Sequence, residues 1–164
     1  MISRRARVGI AAAILILDRL TKAWIEQTFS VWDIRVVIPG VFNIVHTQNR
    51  GAAFGFLNQS DGWWRMAILI GISSLVSIFV AVQLWRFPKG GWPEKNSAAF
   101  GLSLMMGGAL GNLMDRIMRG TVTDFLQVFI GSYEWPSFNV ADSAICVGAG
   151  LLLVAAWQQK PVVA

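Results

Sequence analysis

The residues of this chain that could do chemistry are its acids. Asp124 stands in TVTDFL and Asp142 in FNVAD, 18 residues apart. Asp124 follows β-branched residues and precedes Phe125 and Leu126, so it is a carboxyl in apolar surroundings. Burial raises a carboxyl pKa, and a second carboxylate nearby raises one member of the pair further. Two aspartates sharing a proton can activate a water and protonate a leaving group. A second role is open for Asp142, because it stands where a helix opens and a carboxylate there interacts well with the free N–H groups. The spacing leaves the meeting of the two acids to the segment between them.

Two further polar clusters fall in or beside apolar runs, where ionisable groups are costly and count as functional candidates. In the first, Asp18 and Lys22 are four apart on one helical face and can pair, next to Arg19. A structural ion pair satisfies both charges, with Lys22 reaching toward the interface. In the second, Asn112, Asp115, Arg116 and Arg119 share a face. Just before them GGALG (Gly107 to Gly111) carries a GxxxG pattern that admits a neighbouring helix closely. Asp115 and Arg116 therefore read as the polar cap of a helix crossing.

Other chemistries find less support. The single His excludes the two-histidine zinc signature, and the single Cys excludes an internal disulfide framework, so no metal site or cofactor is expected. His46 stands alone in a β-like stretch. A Ser/Lys pair of Lys22 with Ser73 or Ser74 lacks a GxSxG context. Cys146 reads as a small core residue. No phosphate-binding glycine loop is present.

These residues must be held by membrane helices. Of the 164 residues 55% are hydrophobic and 14% charged, with mean hydropathy +0.55. Soluble domains carry roughly 25% charged residues, and disordered chains are charge-rich. The net charge of +5 comes without a basic stripe interleaved with aromatics, so nucleic acid is not an expected partner. The expected fold is an all-α membrane protein, one integral domain over 1–164, with four transmembrane helices at about 6–24, 66–85, 96–114 and 141–159. The first has a basic start but no small-x-small cleavage site, which makes it an uncleaved anchor. Arg4, Arg5, Arg7, Arg86, Lys89, Lys95 and Lys160 mark one side as cytoplasmic, against Arg35, Arg50, Arg65, Arg116 and Arg119 on the other. Both termini are then cytoplasmic and the two longer connections periplasmic, in a bacterial inner membrane. The segment 86–95 reads as a plain turn. Within about 29–64, IRVVI (Ile34 to Ile38) and VFNIVH (Val41 to His46) flank a Pro39-Gly40 turn and predict a small periplasmic β-rich insertion lying on the membrane. Trp32, Trp63, Trp64, Tyr133 and Trp135 read as interfacial anchors. A transporter or assembly factor would instead carry inverted repeats, and none is evident.

Taken together, LDRLTK (17–22), NRGAAFG (49–55), GGALGNLMDR (107–116), GTVTDFL (120–126) and FNVAD (138–142) run in an order that closely resembles the lipoprotein signal peptidases (signal peptidase II). Each motif alone is weak, but five in order in a chain of this length are specific. The resemblance implies an aspartic peptidase that cleaves diacylglyceryl-modified prolipoproteins just before the lipidated cysteine, with Asp124 and Asp142 as its dyad. It implies that Asn49, Gly51, Asn112, Arg116, Asn139 and Ala141 line or support the site, and it places Asp18, Lys22 and Asp115 in structural polar roles. It further implies a β-cradle and covering helix at about 29–64, contact with membrane lipid, and susceptibility to cyclic peptide inhibitors. Thr123 is a mild departure, since many relatives have an aliphatic residue there.

Overall fold

The computed structural model of the chain describes residues 2–51, 63–86 and 96–158. In order it forms α1 (Arg4–Thr28), β1 (Ile34–Ile38), β2 (Phe42–Asn49), α2 (Trp63–Arg86), α3 (Asn96–Arg119), β3 (Val122–Ile130), β4 (Tyr133–Phe138) and α4 (Val140–Trp157). Most of the expected turn at 86–95, and residues 52–55 of NRGAAFG, lie outside the described residues. So does most of the segment that the resemblance assigns to a covering helix.

Local chemistry sets the helix ends. The Ser3 side chain accepts the Ala6 N–H and starts α1. Asn139 and Asp142 form a reciprocal capping box at the start of α4. Gly120, at φ +72°, takes the left-handed turn that ends α3 and redirects the chain into β3.

Among the described residues, three helices are long and apolar enough to cross a membrane: Trp63–Arg86, Ser97–Arg119 and Val140–Trp157. The 25-residue α1 carries Asp18, Arg19 and Lys22 along its length. Its Asp18 and Lys22 are wholly buried, while Ile16, Leu17, Leu20 and Trp24 are exposed.

Packing around α3 depends on close backbone approach. A Cβ on Gly107 would meet the Ala11 carbonyl of α1, and one on Gly108 would meet the Ala141 carbonyl of α4. Adjacent glycines thus seat α3 against two different helices at once. Farther along, Gly101 and Gly148 bring α3 and α4 backbone to backbone.

The four strands form one antiparallel sheet in the order β1-β2-β3-β4. The sheet is therefore not confined to the insertion at about 29–64, because β3 and β4 come from the connection between α3 and α4. It sits at the end of the bundle where α1 and α3 finish and α2 and α4 begin. A small core of Ile25, Phe29 and Phe125, with Ile44, Leu126 and Val140 around it, joins the end of α1 to the sheet.

Candidate active site

Strand alternation in β3 sends neighbouring side chains to opposite faces. The Thr123 hydroxyl donates to Glu26 of α1 at 2.8 Å, and Glu26 also pairs with Arg119. With Thr123 anchored on that side, Asp124 faces a cavity of about 550 Å³ between α2, α3, α4 and the sheet. Asp142 opens onto the same cavity.

Three asparagines present their NH₂ groups to the two acids. Asn139 donates from Nδ2 to Asp124 Oδ1 at 2.7 Å, and Asn49 donates to Asp124 Oδ2 at 3.1 Å. Asn112 donates to Asp142 Oδ1 at 2.7 Å. The carbonyl end of each amide is taken elsewhere. Asn49 Oδ1 accepts the Gly51 N–H at 2.9 Å, and Asn139 Oδ1 accepts the Asp142 N–H at 2.9 Å. Asn112 Oδ1 accepts from Lys22 Nζ at 3.1 Å and from Asn139 Nδ2 at 3.3 Å.

Asp142 both caps its helix and faces the cavity. Its Oδ2 accepts the Asn139 backbone N–H at 3.1 Å, closing the capping box, while Oδ1 takes Asn112. Asp124 is 3% exposed. Burial away from water, then the nearby charge of Asp142, raises its pKa from 3.8 to about 7; the Asn49 and Asn139 hydrogen bonds and Lys22 oppose the rise.

Behind the asparagines lies a buried ion network. Lys22 Nζ is 2.7 Å from both Asp18 Oδ2 and Asp115 Oδ2. Arg19 pairs with the other oxygen of Asp115. Asp18 Oδ1 accepts the backbone N–H of Ala141 in the first turn of α4 at 3.0 Å. Lys22 is wholly buried and does not reach the interface. Arg116 lines the cavity, donates to the Asn112 carbonyl at 3.3 Å and reaches the Gly51 carbonyl at 3.4 Å. All eleven residues singled out from the sequence thus meet around the cavity or in the network behind it.

Other candidates fall away or change character. His46 is buried in the sheet with Nδ1 on the Phe29 carbonyl. Ser73 does line the cavity, but Lys22 is committed to acids on the far side of Asn112. Cys146 is exposed to the cavity and is not a core residue, because it follows Asp142 by one turn on the same face of α4. Trp135 lines the cavity as well, beside Pro136 and Phe138 of β4. Sequence reasoning missed β4 as a wall of the site, and the only signal for it was the FNVAD motif that begins at Phe138. It also missed Ile72 and Val76 of α2, which look like any lipid-facing residues in sequence.

The sequence profile of the family described as signal peptidase (SPase) II matches residues 10–158. The chain is 49% identical over 146 residues to a lipoprotein signal peptidase of Solibacter usitatus (strain Ellin6076), covering 89% of this chain and 87% of that one. It is 43% identical over 161 residues to the lipoprotein signal peptidase of Nitratidesulfovibrio vulgaris (strain DP4), covering 97% and 94%. Two solved structures, both bacterial membrane enzymes determined by the in meso method, superpose with TM-scores of 0.76 and 0.75. Their identities are 29% and 31%, and they cover 96% and 94% of this chain and 94% of their own chains.

Proposed function

The chain belongs to the signal peptidase II family, whose members are peptidases that remove signal peptides from prolipoproteins, and from that premise we propose that it does so by aspartate-dyad activation of water. The scissile bond in this reading is the one just before the diacylglyceryl-modified cysteine. One arrangement supports it: Asp124 and Asp142 open on one cavity, each oriented by asparagine amides that add no charge.

Asp124, raised to about 7, is the member that holds the proton. Asp142 is the ionised member, held by Asn112 and by the helix N-terminus. Asp142 takes a proton from water as its oxygen attacks the scissile carbonyl carbon, and Asp124 gives its proton to the carbonyl oxygen. Collapse of the resulting diol breaks the C–N bond. The proton on Asp142 passes to the leaving nitrogen and a diol proton returns to Asp124. The products are a carboxylic acid and the free amine of the lipidated cysteine, with no covalent acyl-enzyme. The apolar walls from Ile72, Val76 and Ile145 suit a substrate held by lipid and by an apolar signal helix.

In the same reading α1 is a fourth spanning helix. Its buried charges turn inward to α3, and its exposed face is Ile16, Leu17, Leu20 and Trp24. The basic flanks then put both termini in the cytoplasm and the sheet with the dyad at the periplasmic face of the inner membrane.

Purified protein in detergent should release the signal peptide from a diacylglyceryl-modified prolipoprotein. Asp124→Asn and Asp142→Asn should each abolish release while the protein folds and binds substrate. Full activity in either variant removes the dyad, and equal cleavage of the unmodified precursor removes the lipid requirement.

A further inference from the structure

We propose that Lys22 is a positioning residue for the dyad: its buried ammonium fixes which end of the Asn112 amide faces Asp142, and so which aspartate holds the shared proton. This rests on the dyad reading above.

An ammonium has three N–H donors and no acceptor. Lys22 donates to Asp18 Oδ2 at 2.7 Å and to Asn112 Oδ1 at 3.1 Å, and its ammonium lies 2.7 Å from Asp115 Oδ2 as an ion pair without a hydrogen bond. The charges behind the site balance without the Asn112 contact, since Asp18 and Asp115 are met by Lys22 and Arg19. That contact goes to a neutral side chain, and its effect is on direction. With its carbonyl held by the ammonium, Asn112 has only its NH₂ to offer Asp142, and it does so at 2.7 Å. The other donor to Asn112 Oδ1, from Asn139, is longer at 3.3 Å and already committed to Asp124 at 2.7 Å.

Without Lys22 the amide has a reason to turn over. Asp115 would draw the NH₂ toward itself, leaving the carbonyl of Asn112 against Asp142 Oδ1. Two acceptors then meet unless Asp142 takes the proton, and the acid and base of the dyad exchange places. The charged and titratable groups around this amide are Asp18, Arg19 and Lys22 from α1, Asp115 and Arg116 from α3, Asp124 from β3 and Asp142 from α4. Arg116 does not compete, because it binds the backbone carbonyl of Asn112.

Removing Lys22 alone strands a buried charge, which is strongly destabilising in its own right. The test therefore uses the charge-balanced variant Asp18→Asn/Lys22→Met, in which Arg19 still neutralises Asp115. With a diacylglyceryl-modified prolipoprotein as substrate, we expect a melting temperature close to the parent and KM within about threefold. We expect kcat lower by about 100-fold, the usual cost of a misplaced reacting group. The alkaline limb of the pH–rate profile should move up by about one unit, as the dianion loses a charge-assisted hydrogen bond. A parental kcat with an unmoved alkaline limb overturns the proposal. Failure of the charge-balanced variant to fold also overturns it, since Lys22 would then hold the bundle whatever faces Asn112. The Asp124→Asn and Asp142→Asn variants separate the two readings: if they stay active the dyad reading fails. If they are inactive while the double variant behaves as the parent, only the role of Lys22 fails.

Discussion

Asn139 holds Asp124 with its side-chain NH₂ at 2.7 Å while its carbonyl oxygen accepts the backbone N–H of Asp142 at 2.9 Å. One residue thus caps α4 and orients a carboxyl on β3. The two roles separate in Asn139→Ser. Serine is as good an N-cap as asparagine, so the melting temperature should stay within a few degrees of the parent. Its short hydroxyl cannot also reach Asp124, and kcat should fall by about 100-fold, the scale of a misplaced catalytic group. Thermal unfolding and initial rates on the same preparation check both; a Ser variant with full kcat would show that the Asp124 contact is idle.

The raised pKa of Asp124 makes a pH prediction of definite sign. Folding lifts this carboxyl from 3.8 to about 7. Between those values the folded chain keeps a proton that the unfolded chain has lost. Its contribution to stability therefore falls as pH rises through that window and is level above about 7. Asp124→Asn should raise the melting temperature relative to the parent at pH 8 and leave it near the parent at pH 4. The activity of the parent should fall as pH rises through about 7, where the acid is lost, although the pair titrates as a unit. Melting curves at the two pH values and a kcat/KM profile are the measurements.

Gly108 lies against the Ala141 carbonyl, immediately before Asp142. A methyl there meets backbone, which cannot swing aside. Gly108→Ala should cost about 1–3 kcal/mol through overpacking and lower activity at least tenfold by displacing the first turn of α4. Gly71→Ala, where nothing lies within 4 Å, is the control and should leave both unchanged or slightly raise stability. Unfolding and rate assays on the pair decide whether contact with α4, and not helix propensity, sets the result.

Thr123 bridges to Glu26, which Arg119 also holds. Thr123→Val removes one hydrogen bond and leaves Glu26 its ion pair. The expected loss is about 1 kcal/mol, with activity within threefold. A larger drop in kcat would mean that the Glu26 anchor governs the aim of Asp124.

The expected helices fall on α1 to α4 because apolar runs bounded by Arg, Trp or Pro are readable one residue at a time. The sheet is half-readable. β-like stretches rich in Val and Ile on either side of Pro39-Gly40 announce β1 and β2, and Gly40 does take the positive φ that the turn needs. β3 reads VTDFLQVFI, which neither alternates strictly nor runs apolar around Asp124, and β4 contains Pro136, which argues against a strand except at an edge. Its place at the sheet edge is a property of pairing, which periodicity does not carry. For the site, a chain with nine acids leaves few choices, the motifs hold four of them, and the resemblance implies Asp124 and Asp142 as the pair. The direction of each asparagine amide is set by contacts as distant as Lys22 to Asn112, 90 residues apart, and no local pattern encodes it. Cys146 misleads for a related reason: in an apolar helix, the face toward a cavity and the face toward a neighbour have the same composition.

The pairing of β2 with β3 has a consequence for biogenesis. Asn49 and Asp124, which it brings together, are 75 residues apart with two long helices between them. Contacts of that span form only after the intervening chain is in place. During synthesis, therefore, neither α1 with its hairpin nor the α2–α3 pair can assemble a competent site, and α4 must arrive before Asp142 exists to complete it. In the dyad reading, proteolytic capacity is withheld from every intermediate on the assembly pathway until α4 is in place.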